Sequence, residues 1–123
     1  MTLLLTLLGA AVGAPTRWIV DQLVQARRDS VLPLGTLAIN TSGSLLLGAI
    51  VSAGVRGMLG PDAIALAGGG FCGGFTTFST FSYETVRLAQ DGARRIAALN
   101  VLLSAALGLV AVAIGWTLVA ALP

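Results

Sequence analysis

Histidine and lysine are both absent from this chain, cysteine occurs once, and only 10% of the residues carry a charge. Each shortage removes a class of function. With no histidine and only Cys72, there is no ligand cluster for a transition metal and no convincing nucleophile–base pair, so an enzyme is the weakest reading. A lone thiol also forbids an intrachain disulfide. Soluble domains carry about 25% charged residues, and here too little polar surface exists to cover a globule in water. The formal charge of +2 comes from arginines scattered over short connections, which form no patch for nucleic acid.

What is abundant is apolar: 56% of the chain is hydrophobic and the mean hydropathy is +0.94. The charges are bunched, leaving residues 1–16, 30–55, 63–83 and 96–123 with none. Each run approaches or exceeds the roughly 20 residues a helix needs to cross about 30 Å of hydrocarbon. The first run is shorter, but its helix can continue past Arg17 if that arginine snorkels or finds a partner. It lacks a basic leading segment, and Gly9-Ala10-Ala11 is a poor cleavage site, so it reads as a retained span rather than a signal peptide. Backbone groups in lipid must bond to one another, and strand-like alternation is missing, so the spans are helices.

The pattern predicts four transmembrane helices near 3–24, 32–54, 61–90 and 94–121, making residues 1–123 a single all-α integral membrane domain. Connections near 25–31, 55–60 and 91–95 are short, so consecutive helices are expected to be antiparallel neighbours. Arg17, Arg27, Arg28, Arg87, Arg94 and Arg95 fall on one side and Arg56 alone on the other. The positive-inside rule assigns the arginine-rich side to the cytoplasm and both termini to the outside.

The third span is built around an expected break near its middle. Residues 68–83 place five glycines within seven positions, followed at once by hydroxyl and aromatic side chains. Two readings stand. Small residues let helices pack closely; alternatively the cluster running into Thr76-Thr77 unwinds, freeing carbonyl oxygens that suit a hard cation such as Na⁺. Packing is the simpler. Beyond it, Phe75, Phe78 and Phe81 recur every third residue, either packing on neighbours or turning electropositive ring edges toward an anion. The hydroxyls of Thr76, Thr77, Ser79, Thr80 and Ser82 either bond back to the preceding turn or line a polar path.

Polar stripes mark the other spans. Thr36, Asn40, Ser44, Gly48 and Ser52 recur every four residues on the second, and Asn100, Ser104 and Gly108 on the fourth. Such residues commonly glue helices together; with the broken span they also outline a shared polar interior. Asn40 carries most weight, because a carboxamide in lipid needs partners for its donors and acceptor. Arg17, beside Trp18, is either an interfacial anchor or a vestibule charge that draws anions. Glu84 either marks the end of the third span or pairs with Arg87 three residues on.

Three segments resemble the signature of the Fluc (CrcB-type) family of fluoride channels: Gly9-Ala-Ala-Val-Gly-Ala-Pro-Thr-Arg-Trp18, Gly35-Thr-Leu-Ala-Ile-Asn-Thr-Ser-Gly-Ser-Leu-Leu-Leu-Gly48, and, most specifically, Gly70-Phe-Cys-Gly-Gly-Phe-Thr-Thr-Phe-Ser-Thr-Phe-Ser-Tyr-Glu84. The resemblance implies an antiparallel dimer in the cytoplasmic (inner) membrane with two pores that let fluoride leave the cell passively. It implies one structural, untransported Na⁺ at the dimer centre, held by the backbone carbonyls of Gly73 and Thr76. Phe78 and Phe81 match the family's pore phenylalanines and Asn40 its pore asparagine; Thr77 and Ser104 join the fluoride path. Asn100 and Gly108 depart from the hydroxyl-bearing residues the family often carries along that track. The arginine bias strains a dual-orientation homodimer, so the partner is either a second copy or a paralogue of opposite charge bias.

Two other classes compete. A small multidrug-type exporter has this size, but it requires an embedded carboxylate early in the first span, where residues 1–16 carry none. A non-transporting membrane subunit would use the same glycines and hydroxyls only for packing.

Overall fold

Apolar runs in lipid become helices because a peptide N–H there has no acceptor except another peptide. In the computed structural model, which describes residues 1–123, the chain forms a first helix (Thr2–Arg27), a second (Leu34–Val55), a broken third span, and a last helix (Arg94–Ala120), with no strand. These three unbroken helices are each long and apolar enough to cross a membrane. All four expected spans are present, with shifted ends. The first helix continues three residues beyond 24, and the second starts at Leu34, because Pro33 (φ −74°, ψ 77°) has a ψ outside the helical range and stands as its N-cap.

The third span has two limbs. The leading limb runs through Pro61–Ile64, Ala65–Cys72 and Gly73–Phe75; the trailing limb is Phe78–Gln90. Thr76 and Thr77 between them are extended (φ −78°, ψ 161° and φ −146°, ψ 119°). The break therefore falls at the middle of the span, but not within the glycine cluster. Those glycines remain helical, with Ala65–Cys72 wound in the wider i→i+5 register.

Short turns fold the helices back on one another. After the second helix, Gly57 (φ +71°) turns the chain while Gly57 N–H bonds Gly54 O and Met58 N–H bonds Ala53 O. Gly92 (φ +85°) repeats the arrangement after the trailing limb, with bonds to Ala89 O and Leu88 O. Both are Schellman stops, which place a left-handed residue just past the helix end.

Packing relies on missing side chains. The first helix lies along the leading limb, where a Cβ on Gly9 would overlap the Leu66 carbonyl and a Cβ on Gly74 would sit 2.8 Å from Ala10 O. The second and last helices make the most extensive pairing, with Gly48 against the Val112 backbone and Gly115 against Leu45 O. Gly115→Val is expected to wedge these helices apart at a cost of about 1–3 kcal/mol, read as a lower melting temperature in detergent; an unchanged melt would contradict this packing. Only 21 of 123 residues are buried, and the exposed set is rich in leucine, valine and isoleucine, the reverse of a water-soluble bundle. The molecule is a multi-pass integral membrane protein.

At the far end of the bundle Arg56 reaches the end of the last helix. Its guanidinium donates to Val119 O at 3.1 Å, to Leu122 O at 2.7 Å, and to Ala120 O. These carbonyls lie at and just beyond the negative pole of the helix, and Val119 O also accepts Leu122 N–H at 3.1 Å.

Candidate functional site

Breaking a helix inside a membrane strands polar backbone, and the break here is satisfied from three directions. Asn40, on the second helix, donates from Nδ2 to Thr77 O at 2.9 Å and accepts at Oδ1 from Thr77 N–H at 2.8 Å. One carboxamide thus replaces the neighbouring strand that an extended residue would otherwise need. Arg17, from the first helix, donates from Nη1 to Thr76 O at 3.3 Å. Thr77 caps the trailing limb: its Oγ1 accepts from Thr80 N–H at 3.2 Å and donates to Thr80 Oγ1 at 3.0 Å. Thr76 takes the back-bonding route, with both its N–H and its Oγ1 at 2.9 Å from Cys72 O.

Because Thr77 N–H turns to Asn40, the last carbonyls of the leading limb lose their usual donors. No backbone hydrogen bond reaches the oxygens of Gly73, Gly74 or Phe75. Gly73 is exposed, and a Cβ added to it would meet nothing within 4 Å. Free carbonyl oxygens on an open face fit a hard monovalent cation, the use made of unwound backbone in membrane proteins. Gly70 and Gly74 serve packing, while Gly73 is helical and stays open.

A cleft of about 500 Å³ lies over this region, lined by Asn40, Ser44, Gly73, Thr76, Thr77 and Phe78 among others, with no charged side chain. Phe78, the first residue of the trailing limb, is 79% exposed. Its ring centroid lies 5.9 Å from that of half-buried Phe81, the planes tilted by 45°. Phe75 leaves this row. The break rotates it away, and it is buried, stacked on Phe71 with centroids 5.5 Å apart.

The stripes divide their work. On the second helix Asn40 serves the break, Ser44 faces Gly108 at 3.7 Å from where its Cβ would lie, and Gly48 admits the last helix. Ser52, buried, finds no hydrogen-bond partner for its hydroxyl. On the last helix Asn100 is 1% exposed and donates to Thr85 Oγ1 at 2.9 Å; Thr85 Oγ1 in turn donates a hydrogen bond to Phe81 O at 2.7 Å. Ser104, half-buried between Asn100 and Gly108, makes no side-chain hydrogen bond to the break. Sequence reasoning missed Thr85. The available signal was Asn100 itself, whose amide in lipid demands a nearby acceptor.

A second cleft, of about 460 Å³, opens at the arginine-rich end between the first connection and the trailing limb. Asp21, Arg28, Asp29, Glu84, Arg87 and Asp91 contribute its charges. One Glu84 carboxylate oxygen there is shielded from solvent without a hydrogen-bond partner. Arg87 approaches Asp91 at 3.8 Å instead of pairing with Glu84.

Comparison with known families decides what this arrangement belongs to. Residues 4–116 match the model described as CrcB-like protein, Camphor Resistance (CrcB). The chain belongs to the CrcB family. Among curated CrcB relatives, one from Streptomyces avermitilis named "Fluoride-specific ion channel FluC 1" is 50% identical over 89% of this chain and 88% of its own length. A Frankia casuarinae protein of the same name is 50% identical, covering 82% of each chain. "Fluoride-specific ion channel FluC" from Syntrophotalea carbinolica is 46% identical over 85% of this chain and 86% of that one. The matched stretch contains all three CrcB-like segments, including the whole break.

Proposed function

We propose that this protein is a fluoride-specific ion channel, not an enzyme, and that it works in the cytoplasmic membrane as two copies of the chain in opposite orientations. The observation that carries this reading is the mid-span break, pinned by Asn40 and flanked by an exposed Phe78, in a chain about half identical to curated fluoride channels. Fluoride holds its water tightly, so a pore must replace that water with donors while binding weakly enough to release. Asn40 has a second N–H that no group in the protomer takes. Threonine and serine hydroxyls and the edges of Phe78 and Phe81 supply further weak, uncharged partners. Flow is passive, down the fluoride gradient and out of the cell, which lowers internal fluoride and its toxicity.

A structural Na⁺ belongs to the same proposal, with the carbonyls of Gly73 and Thr76 from both copies as its ligands. Once bound, it supplies a fixed positive charge beside the paths without being transported. Pairing the open faces would also cover the free carbonyls of residues 73–75, which lipid alone cannot satisfy.

The test is fluoride efflux from liposomes holding only the purified protein, with chloride as control anion and Na⁺ replaced by N-methylglucamine in a parallel set. Fast efflux of fluoride but not chloride, weakened without Na⁺, is the expected result. Efflux appearing only after a paralogue is added would replace the homodimer by a heterodimer. Silence of the folded protein with and without that partner would end the channel reading.

A further inference from the structure

Thr76 C=O and Thr77 N–H belong to one peptide unit, and in a trans peptide they point in opposite directions. Their partners come from two different helices: Arg17 Nη1 at 3.3 Å on the carbonyl and Asn40 Oδ1 at 2.8 Å on the N–H. The unit is thus a crossbar held at both ends. Extended residues flank it on both sides, so the helix ladder does not fix its direction. A rotation about its two adjoining bonds would carry the oxygen to the opposite side with little movement of the neighbours. Only the side-chain anchors select one of these states.

From this geometry we propose that Arg17 is a positioning residue. By donating to Thr76 O it sets which way the 76–77 peptide faces, and with it the oxygen available beside the exposed Gly73. Arg17 is the only charged side chain with a hydrogen bond to the break. A carbonyl has two lone pairs, so the guanidinium can hold this oxygen and still leave one pair toward the open face. The nearby central packing does not depend on that bond, since Gly9 and Gly74 bring the first helix against the leading limb independently of Arg17. The functional part of this inference rests on the channel reading; the positioning part does not.

Arg17→Met keeps most of the apolar stem and removes the donor, while Arg17→Lys restores one. Hydrogen exchange resolved at the Thr77 amide, measured on the full chain in nanodiscs, reads the far end of the crossbar. In Arg17→Met that amide is expected to exchange roughly tenfold faster, the loss associated with a charge-assisted bond, and residues 65–72 to stay near wild type. Arg17→Lys is expected to bring Thr77 back toward the wild-type rate. If Arg17→Met fails to fold, Arg17→Gln, whose amide stops short of Thr76, takes its place. Unchanged exchange at Thr77, or an equal rise across 65–77, would overturn the proposal, because the second pattern means Arg17 merely anchors the helix. Fluoride efflux run beside it separates the two ideas: a wild-type protein without flux ends the channel reading, and the exchange result still decides the role of Arg17.

Discussion

Asn40→Ala is expected to cut fluoride efflux by about 100-fold or more and to lower the melting temperature of the protein as well. The substitution removes both hydrogen bonds from Thr77, at 2.9 and 2.8 Å, and leaves a donor and an acceptor stranded at membrane depth. An unsatisfied buried group costs about 1–3 kcal/mol of stability, which the melt reads; the flux loss comes from the missing donor to the ion, where each 1.4 kcal/mol added to the barrier is about tenfold. Asn40→Asp separates structure from permeation. It can still accept from Thr77 N–H, so it is expected to melt closer to wild type than alanine does. Its negative charge and missing N–H donors leave an anion with repulsion where it needs a partner, and efflux is expected to stay lost. Liposome efflux and detergent melting on the same preparations check both. Flux within twofold of wild type in Asn40→Ala would remove this residue from the path.

Phe78→Ile is the counterpart, expected to abolish flux, by about 100-fold, without harming the fold. Phe78 is 79% exposed, and exposed substitutions commonly change stability by no more than about 0.5 kcal/mol. Isoleucine keeps the bulk and hydrophobicity but has no ring, so it offers no electropositive edge. A melting curve and cross-linking yield matching wild type, together with lost fluoride efflux, is the expected pair of results. Normal flux would mean that the exposed ring only packs against lipid or a partner, and the non-transporting reading would regain its place.

Local pattern made the spans legible; distance in the sequence hid the site. Charge-free runs located all four helices because lipid tolerates few charges, and the stripe of Asn40, Ser44 and Gly48 was visible as a period of four. Its division of labour was not. Asn40 meets Thr77 37 positions later, and Arg17 meets Thr76 59 positions later; neither partner is implied by local spacing. The glycine cluster allowed either close packing or unwinding into Thr76-Thr77; the first helix occupies the space that Gly70 and Gly74 leave, and that packing keeps the segment helical. Unwinding passes instead to the two threonines beyond. For the same reason the regular row of Phe75, Phe78 and Phe81 did not survive: two extended residues interrupt the rotation per residue on which the row depended.

Time enters through Arg56. Its carbonyl partners begin at Val119, 63 positions further along. At about 5–20 residues per second of synthesis, the guanidinium has none of those partners for several seconds after it is made. Through that interval it is a cation without those acceptors, and its charge can contribute to how a new chain is oriented in the bilayer. Once the last helix arrives, the same charge, still exposed, is bonded to a helix end. The growing chain and the finished protein therefore carry this charge in two settings: without these acceptors at first, and tied to the end of the last helix afterwards.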